Sequence, residues 1–171
     1  MRSIIGVLLV LGLITTHGAA QSSWDRYVPG KLRAIIERHD AVVREVPDSI
    51  KEGRSFSYEQ FPSLVHARYT GESRPISPGR RFFLAQYFRS VLRLPADSNP
   101  FVEEFQFVED SIAYWLPVQA RVVPFLRKEA QPGRNIDLFV VWAGALSRPD
   151  SKPRNRLVDW IFLVNDFRTP S

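Results

Sequence analysis

Beyond residue 20 the chain carries two histidines, His39 and His66, and no cysteine at all. Thiol chemistry is therefore excluded, and any catalytic base has few candidates. A serine hydrolase needs a nucleophilic Ser, a His base and an acid that orients it. The nearest thing to a nucleophile elbow, Gly53-Arg54-Ser55-Phe56-Ser57, lacks the second glycine that lets the strand-to-helix turn form. His39 falls seven residues after Leu32 and three before Val42, inside an apolar helical stripe, where a histidine is more often a hydrogen-bonded core residue. His66 lies beside Arg68 on an alternating segment, which presents one face to solvent more readily, so it is the better candidate base.

Carboxylates could run glycoside hydrolysis as a pair. Glu103 and Glu104 are the candidates, but neighbours on a strand point to opposite faces. Glu109 and Asp110 read as a hairpin turn. Metal ligands do not converge: His39 and His66 are far apart in sequence, and adjacent helix positions such as His39 and Asp40 diverge. The oxygens from Asp97 to Glu104 resemble a calcium loop, yet Val102 stands where its sharp turn requires glycine. Phosphate-binding glycine motifs are absent. No metal and no cofactor is expected.

Two segments could bind rather than react. Pro78-Gly79-Arg80-Arg81 opens a helix, so backbone N–H groups and two arginines could favour an anion there; the bland reading is a capped helix with solvated arginines. Between residues 144 and 156, Arg148, Lys152, Arg154 and Arg156 are offset only by Asp150, and Trp142 and Trp160 flank the segment. A basic tip beside aromatic platforms could grip a polyanion or a sugar polymer. The bland reading is a solvated tip with both tryptophans in the core. Tyr114 and Trp115 carry the same ambiguity.

The elements that must position these residues follow from periodicity. Leu32, Ile35, Ile36, Val42, Val43 and Val46 recur at helical spacing, with Arg33–Glu37 and Asp40–Arg44 as i,i+4 pairs, and Pro47 ends that helix. Residues 47–63 read as a structured loop, and Leu64 to Thr70 as a strand closed by Gly71. Ser77-Pro78 caps a second helix whose stripe is Phe83, Leu84, Tyr87, Phe88, Val91 and Leu92. Phe82 and Ala85 lie beside that stripe, which leaves Arg80, Arg81, Gln86 and Arg89 as its expected wet face. Residues 101–108 and 112–116 predict a hairpin; residues 118–126 have helical spacing kinked or shortened by Pro124. Residues 136–142 and 157–167 are apolar on both alternating faces, as in strands covered on both sides. The sum is an α+β domain, two or three helices on a mainly antiparallel sheet with a strand-rich C-terminal half. A partly closed OB-like or SH3-like barrel is the alternative.

The opening residues fix where this domain would work. Arg2, the apolar run Ile4 to Ile14, and the small residues Gly18, Ala19 and Ala20 form the three parts of a cleavable signal peptide. A spanning helix needs roughly 20 apolar residues, so an anchor fits less well. Residues 1–20 are thus expected to be an export signal and 21–171 one domain, periplasmic or secreted and bacterial in character, without stable membrane insertion after cleavage. The net charge of +5 permits attraction to anionic surfaces, while interspersed acidic residues argue against nucleic acid. The expectation is a non-enzymatic binding or accessory domain recognising an anionic or saccharide envelope polymer or an envelope protein. A carboxylate-dependent hydrolase using His66, Glu103 or Glu104 and a self-assembling structural protein are the alternatives.

Overall fold

The computed structural model describes residues 24–45, 53–58, 61–149 and 156–170. The expected export signal, and Lys152 and Arg154 of the basic segment, lie outside the described residues. In chain order the elements are β1 (Val28–Gly30), α1 (Leu32–Arg44), β2 (Gly53–Phe56), β3 (Pro62–Pro75), α2 (Pro78–Ser90), β4 (Phe101–Glu109), β5 (Ile112–Gln119), α3 (Val123–Glu129), β6 (Asn135–Pro149) and β7 (Arg156–Arg168). This is an α+β fold.

The seven strands form one sheet in the order β1-β3-β4-β5-β7-β6-β2, and β3 pairs a second time with β6. Strands β3, β4, β5, β7 and β6 therefore make a closed circuit of pairings. The ladders are antiparallel except β1 with β3 and β5 with β7. The weakest link is the last, where β5 and β7 share one pair, Val118 with Val164.

Strand β3 closes the circuit by changing partner along its length. Pro62 to Arg68 pair with β6, and from Arg68 onward the strand pairs with β4. The register slips between Tyr69 and Ser73, around Gly71 at φ 89°. Gly71 is thus a bulge inside a long strand rather than its end, because a positive φ bends the chain without stopping the ladder. The β4–β5 hairpin turns through Asp110 and Ser111, both at positive φ (46° and 70°), the twist a two-residue hairpin requires.

Alternation then sorts side chains. Val65, Ala67, Phe105, Phe107, Leu116, Val118, Ile136, Leu138, Val140, Phe162 and Val164 share one buried cluster, which fills the space the circuit encloses. Leu32 and Val43 of α1, and Val123 and Leu126 of α3, join it. On the other face of β6 and β7, Ala143, Ile161 and Leu163 are covered by Phe83, Leu84, Tyr87 and Phe88 of α2. Phe139 and Val141 are covered by Trp24 and Tyr27. That double cover explains why both strands read as apolar on both faces. Each fully buried Phe or Leu contributes about 1.5–3 kcal/mol relative to exposure.

Four local expectations are corrected. The 47–63 segment contains strand β2, which pairs with β6 from Gly53↔Ser147 to Phe56↔Gly144. The described residues of the 144–156 segment are strand, since β6 runs on to Pro149 opposite Arg156. Pro124 stands in the first turn of α3 and starts it, where its missing N–H costs nothing. On α2 two residues depart from their expected sides, Arg80 being buried and Phe82 48% exposed, while Arg81 and Arg89 are exposed as expected.

Candidate functional site

The Ser77 hydroxyl caps α2 by accepting from Arg80 N–H at 3.4 Å. This fixes the first turn and sends the Arg80 side chain inward, across the seam where β5 and β7 barely pair. There the guanidinium donates to the Trp115 carbonyl at 2.7 Å and, through Nε, to Asp159 Oδ2 at 2.8 Å. It also donates to Glu104 and to the second Asp159 oxygen. Arg80 therefore joins β4, β5 and β7 to α2 through one side chain. Arg74 completes the group: its Nε donates to Glu104 Oε1 at 2.7 Å, and its guanidinium lies 4.1 Å from the centre of the Trp115 ring.

Two arginines and two carboxylates make this cluster formally neutral. Glu104 is 0% exposed, so its charge is tolerable only because both arginines reach it. Burial alone would lower the Arg80 pKa, but the hydrogen bonds and charges of Asp159 and Glu104 outweigh it and raise that pKa above its ordinary value.

The cluster walls a cleft of about 820 Å³ between the first turn of α2 and the β6–β7 hairpin. Its sides are Ser77 and Arg80, Leu146 and Arg148 of β6, and Leu157 and Asp159 of β7. Arg148 is exposed and makes no ion pair among the described residues. The cleft thus offers an unneutralised cation, a hydroxyl, a carboxylate edge and apolar surface side by side.

The other candidates fall elsewhere. Trp142 is 6% exposed, stacks on His39 with ring centres 4.1 Å apart, and donates its indole N–H to the Gly144 carbonyl at 2.9 Å. Trp160 lies 6.0 Å from it, packed against the same cluster. Both tryptophans belong to the core side, because their strands alternate inward at those positions. Arg156 is buried too, donating to the Ser147 carbonyl and hydroxyl. Of the basic segment, Arg148 alone among the described residues faces solvent. Arg81 is exposed.

The hydrolase candidates do not meet. Glu103 faces away from Glu104 and accepts from Arg127 at 2.8 and 2.9 Å. His66 is exposed on β3, with Nδ1 at 3.1 Å from Asp137 Oδ1. Partial burial pushes the Asp137 carboxyl up, but Arg168 and His66 outweigh it and hold it below the usual carboxylate range. Glu109 is buried and accepts from Leu32 N–H and Arg33 N–H at 3.0 and 3.1 Å, capping α1 from 77 residues away. Among the described residues no group of three or more His, Asp or Glu could hold a metal ion, and no helix is long and apolar enough to cross a membrane.

Sequence reasoning missed Asp159 and the inward course of Arg80. The signal available was an arginine three residues after a capping serine, which names the helix start but not the partner. The chain matches no protein-family model, and comparison with curated proteins and with solved structures found no match.

Proposed function

We propose that this chain is an exported binding or accessory domain whose cleft between α2 and the β6–β7 hairpin takes an anionic or saccharide polymer of the cell envelope. The observation that carries the reading is the cleft itself: a concave space bounded by Arg148, Ser77 and Asp159 beside Leu146 and Leu157. Apolar surface suits the flat faces of sugar rings, and the polar groups suit hydroxyls or carboxylates. The Arg80 cluster supports it by making one wall rigid, so little ordering is required on binding.

The strand circuit adds a fold-level analogy. In OB-like barrels, the connection between the first and second strands and that between the fourth and fifth flank an oligonucleotide- or oligosaccharide-binding face. Taking β3, β4, β5, β6 and β7 as the five, those connections carry α2 and adjoin Arg148. Analogy of this kind supports a location and not a ligand.

The test is amide chemical-shift mapping with an acidic oligosaccharide such as an oligouronate. Salt-sensitive shifts centred on Gly79, Ser147, Arg148 and Val158 are expected, and weaker binding in Arg148→Ser. Shifts confined to other faces, or none at millimolar ligand, would remove the cleft from the account.

A further inference from the structure

The 24 residues from Ser73 to Ala96 contain five arginines and not one Asp or Glu. Two of the five, Arg74 and Arg80, are neutralised by Glu104 and Asp159. The other three, Arg81, Arg89 and Arg93, are exposed and make no ion pair among the described residues. Arg81 and Arg89 are eight residues apart on α2, so they fall on one side about 12 Å apart along the axis. Phe82 lies on that same side with 48% of its surface exposed, and Leu94 beyond the helix end is 45% exposed. Arg54 of β2 stands 4.6 Å from the centre of the Phe82 ring.

The opposite side of α2 is fully committed. Phe83, Leu84, Tyr87 and Phe88 are buried against β6 and β7, which holds the outer face rigidly outward. That face carries the guanidiniums of Arg81 and Arg89 with the Phe82 ring between them, and none of these three lines the cleft beside Arg148.

We propose that the outer face of α2 docks the domain on an anionic phospholipid surface. Guanidinium forks match phosphate oxygens, and each arginine close to an anionic leaflet gains from its potential. An exposed helix face can lie against a flat surface, where a groove would suit a single polymer strand. Phe82 and Leu94 supply the apolar contact that an interfacial helix places at the headgroup boundary. This contact is peripheral, and it does not depend on what the cleft binds.

The experiment is co-sedimentation of the full chain with vesicles of phosphatidylcholine, with and without phosphatidylglycerol. Residues 1–20, with Arg2 beside the apolar run at 4–14, contribute alike to parent and variants, so the readout is how the increment due to phosphatidylglycerol changes between them. That increment should fall with added salt and drop roughly 10- to 30-fold in Arg81→Gln/Arg89→Gln. Phe82→Ser should weaken binding while leaving its salt dependence in place. Circular dichroism of each variant should match the parent. No phosphatidylglycerol dependence in the parent, or an unaltered one in the double variant, overturns the proposal. Equal affinity for soluble polyphosphate, with no effect of Phe82→Ser, also overturns it in favour of a general polyanion site. Cleft occupancy by an oligouronate is a separate readout, so either reading can fail alone.

Discussion

Arg80 and Asp159, 79 residues apart, meet fork to fork: Nε and Nη2 of the arginine donate to the two oxygens of the aspartate. The pair spans from α2 to β7 on the side of the sheet where β5 and β7 share one ladder pair. A side chain therefore joins strands where backbone pairing is sparse, and the same side chain forms a wall of the cleft.

Removing it should be costly. Arg80→Met leaves the wholly buried Glu104 with Arg74 as its remaining charge partner, and loss of one member of a buried ion pair typically costs about 3–5 kcal/mol. Urea unfolding at neutral pH measures this. Adding Glu104→Met to Arg80→Met should recover much of the loss, since the uncompensated charge goes with it. A single-variant loss below about 1 kcal/mol would show that the cluster is not what holds the seam.

The α1 helix depends on a distant cap. Lys31 stands at its N-cap position without a side-chain cap bond, and Glu109 supplies the acceptor. Glu109→Ala should cost about 0.5–2 kcal/mol, as loss of an N-cap does, and should speed amide exchange at Leu32 and Arg33. Unchanged exchange at those two amides would refute the capping role.

Acid sensitivity should trace in part to Asp137. Its folded pKa lies below the ordinary carboxylate value because Arg168 and His66 outweigh partial burial. A depressed pKa contributes stability that is present above the unfolded value of about 3.9 and is lost as pH falls through the folded value. Asp137→Asn should therefore flatten the acid-side decline below about pH 4. Denaturant midpoints across that range give the answer; parallel curves for parent and variant would exclude Asp137 as a contributor.

Strand β2 leans on Gly144. Its φ is +139°, and a Cβ there would come within 2.0 Å of the Ser55 carbonyl oxygen. Gly144→Ala should push β2 off β6 and lower stability by about 1–3 kcal/mol, the usual cost of overpacking. Faster exchange of the β2 amides should accompany the lower melting temperature. A variant as stable as the parent would mean that β2 adds little to the fold.

How far the sequence reads correctly depends on the range of the interaction. Ser77-Pro78 names the start of α2 because capping and the proline ring act within one turn. Phe101 to Glu109 alternates, and Asp110-Ser111 turns it, so that hairpin is visible from neighbours alone. The apolar doubling of β6 and β7 announces cover on both faces without naming α2 or Trp24 as the cover. Phe82 and Arg80 defeat the same logic. Helical spacing ranks residues by polarity, and it cannot register that Glu104 and Asp159 wait beneath the helix for a guanidinium.

By itself, then, the chain determined its class: helices with a strand-rich C-terminal half, no thiol chemistry, no phosphate loop, a basic balance. Those are properties of composition and of contacts a few residues long. Only the tertiary structure decided that Trp142 is core, that Arg148 faces the cleft, and that Glu109 and Arg80 act across 77 and 79 residues. The reason is that burial of a charge is decided by its partners, and those partners are brought close by closing the strand circuit through β3.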